Sequence, residues 1–311
     1  MIKKAIPLFA FLLVAFIYSG CKKPDPVIIP KPPVASAGLD QTVQLPIAAF
    51  TLAGTSTTPQ GSVTGSLWSL ISGPNVPVIN SPASATTTVN NFIAGTYFFQ
   101  YRVNNSDGLT GLDTAKIVVL PAPIVTLTLQ PANSTTELHV IGGPSLDQAD
   151  PNAPEFAASA WTINGDLAYY RGLIKFDLSS IPATATIISA KLSLYSTPNP
   201  LNGNHVDANF GPNNSMYIER ISTNWSSATA KWSNLPATTT NDRISIPHTT
   251  SKFLDLIDID IKPMISGMIS SNSNYGFMLR LQNDVAYNSR IFSTSKHAQA
   301  AKRPKLIVVY Q

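Results

Sequence analysis

Arg171, Leu173 and Lys175 alternate with Ile174, Phe176 and Leu178. In an extended strand, residues two apart share a face, so this alternation sorts an apolar side from a cationic one. Arg171 and Lys175 would stand about 14 Å apart along the strand, a span that suits several residues of a carboxylated sugar chain. Arginine offers such a carboxylate a planar fork, and lysine a point charge. Trp161, Tyr169 and Tyr170 are close in sequence, and aromatic rings can stack on the C–H faces of sugars. Arg220, Arg280 and Arg290 are further candidate contacts. The competing reading of every cation is a solvated side chain on an outward sheet face, weakly paired with an acid. Trp225, Trp232 and His205 are expected to serve structure, while Trp161, beside Asn164-Gly165 in a loop region, is open between the two roles.

Enzymatic chemistry has little support. The chain contains no Gly-x-Ser-x-Gly elbow and no His-Glu-x-x-His pair. Asp255, Asp258 and Asp260 alternate with apolar residues; a glycosidase pair among them is unspecific, and Asp258 and Asp260 read as the polar face of a strand. A polysaccharide lyase using Tyr, His and Arg is the sharpest enzymatic alternative. One cysteine, Cys21, excludes an internal disulfide and a cysteine-based zinc site.

The elements that must carry these residues follow from length and composition. A chain of 311 residues accommodates two domains at roughly 100–200 residues each. Only 12% of residues are charged, and 32 Ser, 28 Thr and 22 Asn supply the polarity. With 44% hydrophobic residues the chain is not disordered. A net charge of +4 with no long basic run argues against nucleic acid as a partner.

Residues 1–21 form a leader: Lys3 and Lys4, an uncharged apolar stretch from Ala5 to Tyr18, then Ser19-Gly20-Cys21. The apolar stretch is too short for a comfortable span and suits a signal-peptide core. Its end resembles the bacterial lipobox, with Tyr18 where Leu is usual. That resemblance implies acyl chains on Cys21, hence a membrane partner through the lipid. By similarity to Gram-negative lipoproteins, Lys22 rather than Asp after the cysteine implies the outer membrane, and Lys22-Lys-Pro-Asp25 resembles the charged tether of lipoproteins exported to the cell surface. Residues 22–32, with four prolines, read as a stiff spacer.

Residues 33–120 hold five charged side chains and short β-rich runs between turn-formers such as Pro59-Gln-Gly61 and Ser106-Asp-Gly108. Tyr97, Phe99, Tyr101 and Val103 make one apolar face. The blocks at 35–46, 52–56, 66–74, 95–103 and 104–119 resemble a PKD-type, immunoglobulin-like domain. Relatives often carry an acidic loop where this chain has Thr58-Pro-Gln-Gly61, so a Ca²⁺ site is unsupported and no cofactor is expected. Trp68 is read as a core residue of the sandwich rather than a ligand platform. This domain is assigned spacing and presentation.

Pro121-Ala-Pro123 is the hinge to residues 124–311, which carry 14 basic and 13 acidic side chains. Nine strand candidates recur, at 124–129, 171–178, 190–195, 215–221, 243–246, 254–261, 276–281, 290–293 and 305–310. One helix is expected near Pro263–Ile269. The count suggests a two-sheet jelly roll, giving an all-β chain: an Ig-like PKD sandwich followed by a larger jelly-roll β-sandwich. The blocks at 160–165, 171–182, 185–195, 203–205, 217–225, 230–240, 273–281 and 302–310 resemble the DNRLRE domain, grouped with carbohydrate-binding module family 96. This implies a non-catalytic module that binds acidic polysaccharide of the alginate type through basic and aromatic side chains. Two acids of the family pattern are replaced here, by Ser227 and Lys296. The expected partner is extracellular polysaccharide. The competing role is a structural or adhesive envelope protein.

Overall fold

The computed structural model describes residues 29–130, 137–197, 200 and 207–311. Cys21, the tether up to residue 28 and His205 lie outside the described residues. The chain is all-β and divides into two compact units, meeting in sequence at Pro121 and Ala122.

The first unit contains β1 (Val34–Ser36), β2 (Gln41–Gln44), β3 (Phe50–Ala53), β4 (Thr55–Thr57), β5 (Val63–Ser72), β6 (Val78–Ile79), β7 (Thr86–Asn90), β8 (Gly95–Asn105) and β9 (Thr110–Leu120). One sheet runs β2-β9-β8-β5, a second β3-β7-β6, and β1 pairs with β4. The period-two face of β8 is the core: Tyr97, Phe99, Tyr101 and Val103 are all buried. Trp68 on β5 joins them at 1% exposure, its ring 4.7 Å from Tyr101. Its Nε1 donates to the Ala85 carbonyl at 3.0 Å, which satisfies the polar edge of an otherwise apolar side chain.

The second unit contains β10 (Val125–Leu129), β11 (Glu137–Gly143), β12 (Leu146–Asp150), β13 (Glu155–Ile163), β14 (Asp166–Ile174), β15 (Ile187–Leu194), β16 (Asn209–Phe210), β17 (Met216–Ile221), β18 (Thr238–Ile246), β19 (Leu256–Asp260), α1 (Lys262–Ser270), β20 (Phe277–Leu281), β21 (Asn288–Ser293) and β22 (Lys305–Tyr310). One sheet is β10-β22-β15-β19. The other is larger and branched: β16-β21-β13-β14-β20-β17-β18, with β11 also on β14 and β12 on β11. Their shared core joins Ala190, Leu192 and Leu194 of β15 and Leu306 and Val308 of β22 to Phe156, Ile218, Phe277, Leu279 and Phe292 of the larger sheet. Helix α1 adds Met264, Ile265, Met268 and Ile269 to that core. Pro263 sits in its first turn, where no intrahelical donor is lost.

The described residues form thirteen strands in this unit, four more than expected. The additions are β11, β12, β13 and β16. β13 is rich in alanine, and Ala157, Ala158 and Ala160 are buried because large neighbours close over them. The expected strand at 171–178 instead spans 166–174. Asn164-Gly165, both at positive φ, makes the two-residue hairpin turn that starts β14 at Asp166. Trp161 therefore lies on strand β13, not in a loop.

The aspartates of the 254–261 segment are held by the surrounding fold. Asp255 pairs with Lys302 at 3.0 Å, Asp258 meets Ser193, and Asp260 accepts from the Lys262 amide and pairs with Lys191. Replacing the Trp68 indole, Trp68→Ala, is expected to destabilise the first unit by about 3–5 kcal/mol, the range for large aromatics cut from a core. Chemical denaturation checks this; a loss under 1 kcal/mol would mean that the side chain is not a core element.

Candidate functional site

The site grows from strand β14. Along one edge β14 pairs with β11 from Tyr169 to Ile174. Along the other it pairs with β13 up to Tyr170 and then with β20 from Gly172. Tyr169, Arg171 and Leu173 share a face with their β11 partners Gly142, Val140 and Leu138.

This face is not the open one expected for Arg171, Leu173 and Lys175. Leu173 is fully buried in a second cluster with Leu138, Val140 and Met278, against which Trp225, Trp232, Leu235 and Tyr275 pack. The segment after β17, residues 222–235, folds back over the sheet, and a 3-10 turn, Trp232–Asn234, presents the Trp232 ring to β14. Asp147 pins that turn by accepting from the Ser233 amide and hydroxyl, both at 2.9 Å. Those hydrogen bonds hold the Asp147 carboxyl below its ordinary range. Trp225 is anchored by donating to the Tyr275 carbonyl at 2.7 Å.

Trp232 lies flat on Gly142, so closely that a Cβ there would stand 1.8 Å from the ring. Tyr169 stacks with the indole at 5.8 Å between centroids and 21° between planes. The Arg171 guanidinium sits 5.0 Å from its ring centroid. Arg171 also forks onto Asp284, with Nη1 on Oδ1 at 3.1 Å and Nη2 on Oδ2. Beside the ring, Gly143, Pro144, Ser145, Leu146, Asp147 and Ser233 line a cleft of about 320 Å³.

A second aromatic–cation group lies on the same face one strand over. The register Leu173↔Met278 puts Arg171 and Arg280 on the next rung, and Tyr217 of β17 stands opposite Arg280. Arg243 and Arg280 flank the Tyr217 ring at 3.8 and 5.0 Å from its centroid. Both arginines also reach Glu219, Arg280 at 2.8 Å and Arg243 at 3.5 Å. Three arginines thus share two carboxylates, Asp284 and Glu219, which leaves the group with one positive charge in excess. Burial pushes the Glu219 carboxyl up, but hydrogen bonds from Arg280 and Thr238 and the Arg280 charge outweigh it and hold it below its ordinary range.

The other expected site residues are dispersed. Lys175 is half-buried past the end of β14, because the chain leaves the sheet at Ile174. Tyr170 points to the opposite face, buried against His139 at 5.4 Å, and burial raises its hydroxyl pKa. Trp161 is on that opposite face too, edge-on to the partly exposed Phe210 and Tyr287 at 5.5 and 5.2 Å. Arg220 pairs with Asp242 at 2.7 Å and lies near Gly267 of α1. Arg290 stands opposite Ala158 in the core, fully buried, donating to the Asn214 and Pro247 carbonyls. Burial brings its pKa down to about 10. Arg290, at 0% exposure, has no surface from which to touch a polymer; Tyr170 at 5% and Arg171 at 7% are both buried, on opposite faces of the strand.

Tyr169, Arg171 and Arg280 are therefore brought to one face, and Trp232, Tyr217, Arg243, Glu219 and Asp284 complete it. The added residues had a partial signal in the sequence. Tyr217 and Glu219 alternate along a β-type run, and Trp232 follows a lysine, but their partners are remote in the chain.

The Glu219 shift has a stated sign. Its folded pKa is depressed, so its contribution to stability is full above the ordinary carboxylate range and is lost as pH falls through the folded value. Glu219→Gln is expected to cost about 1.5–3 kcal/mol at pH 7, the worth of hydrogen bonds to a charged group. The gap from the parent should close under acid conditions, read by denaturation at several pH values. A gap independent of pH would remove the charge from the explanation.

Residues 37–119 match the family model described as K319L-like, PKD domain. Residues 158–310 match that of carbohydrate-binding module family 96. Over 89 residues the chain is 32% identical to the mouse dyslexia-associated protein KIAA0319-like protein, a stretch that is 29% of this chain and 8% of that protein. The solved PKD domain of human KIAA0319 is 22% identical, with a TM-score of 0.27, covering 33% of this chain and 95% of that one. The Bacteroides ovatus mixed-linkage glucan utilization locus protein SGBP-B, solved in complex with a mixed-linkage heptasaccharide, is 12% identical, with a TM-score of 0.23, covering 91% of this chain and all of that one.

Proposed function

From a chain in which a PKD domain precedes a family 96 carbohydrate-binding module, we propose a lipid-anchored surface protein whose C-terminal unit binds acidic extracellular polysaccharide of the alginate type. Both domains are of a non-catalytic kind, and the matched C-terminal family is a carbohydrate-binding one. The finer reading is carried by one observation: Arg171, Arg280 and Arg243 lie on a single sheet face, interleaved with Trp232, Tyr169 and Tyr217, and outnumber their carboxylates. Cations and rings in alternation suit a polymer that repeats carboxylates and apolar ring faces. Planar guanidiniums held against aromatic rings are already ordered, so little rotamer freedom is lost when a carboxylate arrives.

The rest of the chain serves placement. Cys21, at the end of an apolar leader, carries the acyl anchor, and the proline-rich 22–32 segment and the PKD domain hold the binding unit away from the membrane. Treating intact cells with a protease tests the surface position: the protein should be cut while the outer membrane is sealed, and its survival would count against exposure.

The binding reading predicts that the chain is retarded by alginate in affinity electrophoresis, and that added salt weakens the retardation by screening the exposed charges. Arg243→Ala should weaken binding about tenfold, the scale of one charge-assisted hydrogen bond. Trp161→Ala, on the opposite face, should leave it unchanged. Absence of retardation by any polyuronate at low salt would end the acidic-glycan reading.

A further inference from the structure

We propose that Asp284 is an internal stand-in for the ligand's carboxylate: it occupies the seat on Arg171, and an acidic glycan binds there by displacing it. The inference rests on the acidic-glycan reading above and adds how that site is guarded and what it selects.

The seat is shaped for a carboxylate because it already holds one. The two Arg171 amino groups donate to the two Asp284 oxygens, the fork that a uronate would take in its place. Arg171 does not depend on Asp284 for its position. Its Nη1 also donates to the Tyr170 carbonyl at 3.0 Å, and its guanidinium lies over Trp232, which is itself fixed between Gly142 and Tyr169. If Asp284 left, the cation would remain in place and be uncovered.

Asp284 is also the one of the two carboxylates that can leave. The Arg171 side chain is 9% exposed and Asp284 is 31% exposed, whereas Glu219 is 2% exposed. Glu219 is held from three sides, by Arg280, Arg243 and Thr238. Asp284 lies in the turn between β20 and β21, beside exposed Asn283 and Val285. That turn is tied down by other groups: Asn288 donates to the Val285 carbonyl at 3.0 Å, and Gln282 donates to Ser245. Rotation of the Asp284 side chain therefore suffices to open the seat, with the turn left standing.

This arrangement selects by charge. A neutral glycan has nothing to offer Arg171 in exchange for Asp284, so it leaves the seat closed. A uronate replaces one ion pair with another, and neighbouring rings of the same polymer gain contacts with Trp232 and Tyr169.

The test uses the full chain with a defined oligouronate and its carboxyl-reduced, neutral counterpart, measured by calorimetry. Asp284→Asn keeps the size and an acceptor but removes the charge, and should bind the oligouronate about tenfold more tightly than the parent, the scale of a charge-assisted hydrogen bond. Its affinity should also fall more steeply with salt, because no internal ion pair is given up. The neutral oligosaccharide should show no gain, and adding Arg171→Ala should abolish the gain. Asp284→Ser repeats the measurement should the asparagine variant melt early. If the parent binds and Arg171→Ala weakens it, yet folded Asp284 variants bind no more tightly, displacement is wrong while the acidic-glycan reading stands. If neither parent nor variants bind the oligouronate, both fall.

Discussion

Strand β14 has one partner on its left and two on its right, and the rest of the C-terminal unit is arranged around that fact. β11 runs along its whole C-terminal half, while β13 gives way to β20 near Arg171. A strand paired on both edges has no spare backbone donors or acceptors, so its side chains are fixed in register. The alternation within β14 then decides two environments at once. Tyr169 and Arg171 are delivered to the side where Trp232 lies, and Ala168 and Tyr170 to the side where Trp161 and Ile291 pack. A register slip of one residue would exchange the two sets, moving the arginine away from Trp232 and Asp284 and putting the tyrosine in its place.

The close approach of Trp232 depends on Gly142 in the same way. Any side chain at the rung opposite Tyr169 would occupy the space of the indole. With no Cβ there, the ring can lie against the strand itself, where it offers one face to Tyr169 and Arg171. The cation is thereby ordered without being neutralised by the ring, since a cation–π contact leaves the full charge in place. Asp284 and Glu219 supply the neutralisation, and they do so unequally: one is buried among several donors, the other partly open to solvent.

Much of this was legible in the sequence, and what was not has identifiable causes. The alternation of Tyr97, Phe99, Tyr101 and Val103 declares a half-buried strand, and Pro263 before Met264, Ile265, Met268 and Ile269 declares a helix; both stand as expected. β13 was missed because its core face is Phe156, Ala158 and Ala160, small residues whose burial is decided by what covers them. The Asn164-Gly165 pair carries a hairpin signal, and it is the pairing of Ile163 with Asp166 that makes it a turn rather than a loop. Within the site, period two was enough to put Tyr169 and Arg171 together. It could not supply Asp284, 113 residues further on, nor show that Arg290 faces inward, which depends on its register opposite Ala158. Lys175 failed for a different reason: spacing along a strand holds only while the strand continues, and β14 ends one residue earlier.

The low charge of the chain bears on selectivity through distance rather than through the total. At physiological salt the screening length is about 8 Å, so an approaching polyanion responds to cations clustered within that range and not to the sum of +4. Neighbouring strands are about 4.8 Å apart, which places Arg171 and Arg280, on adjoining strands of one face, inside a common field. Arg220 and Arg290 contribute little to it. They lie toward the other side of the sheet, where Asp242 answers the first and backbone carbonyls the second. Serine, threonine and asparagine, 82 residues of the 311, supply polarity without adding charges that would blur that local excess. On the acidic-glycan reading proposed above, selection between an acidic polymer and a neutral one would rest on these three arginines on one face and on Asp284, the more exposed of their two carboxylate partners.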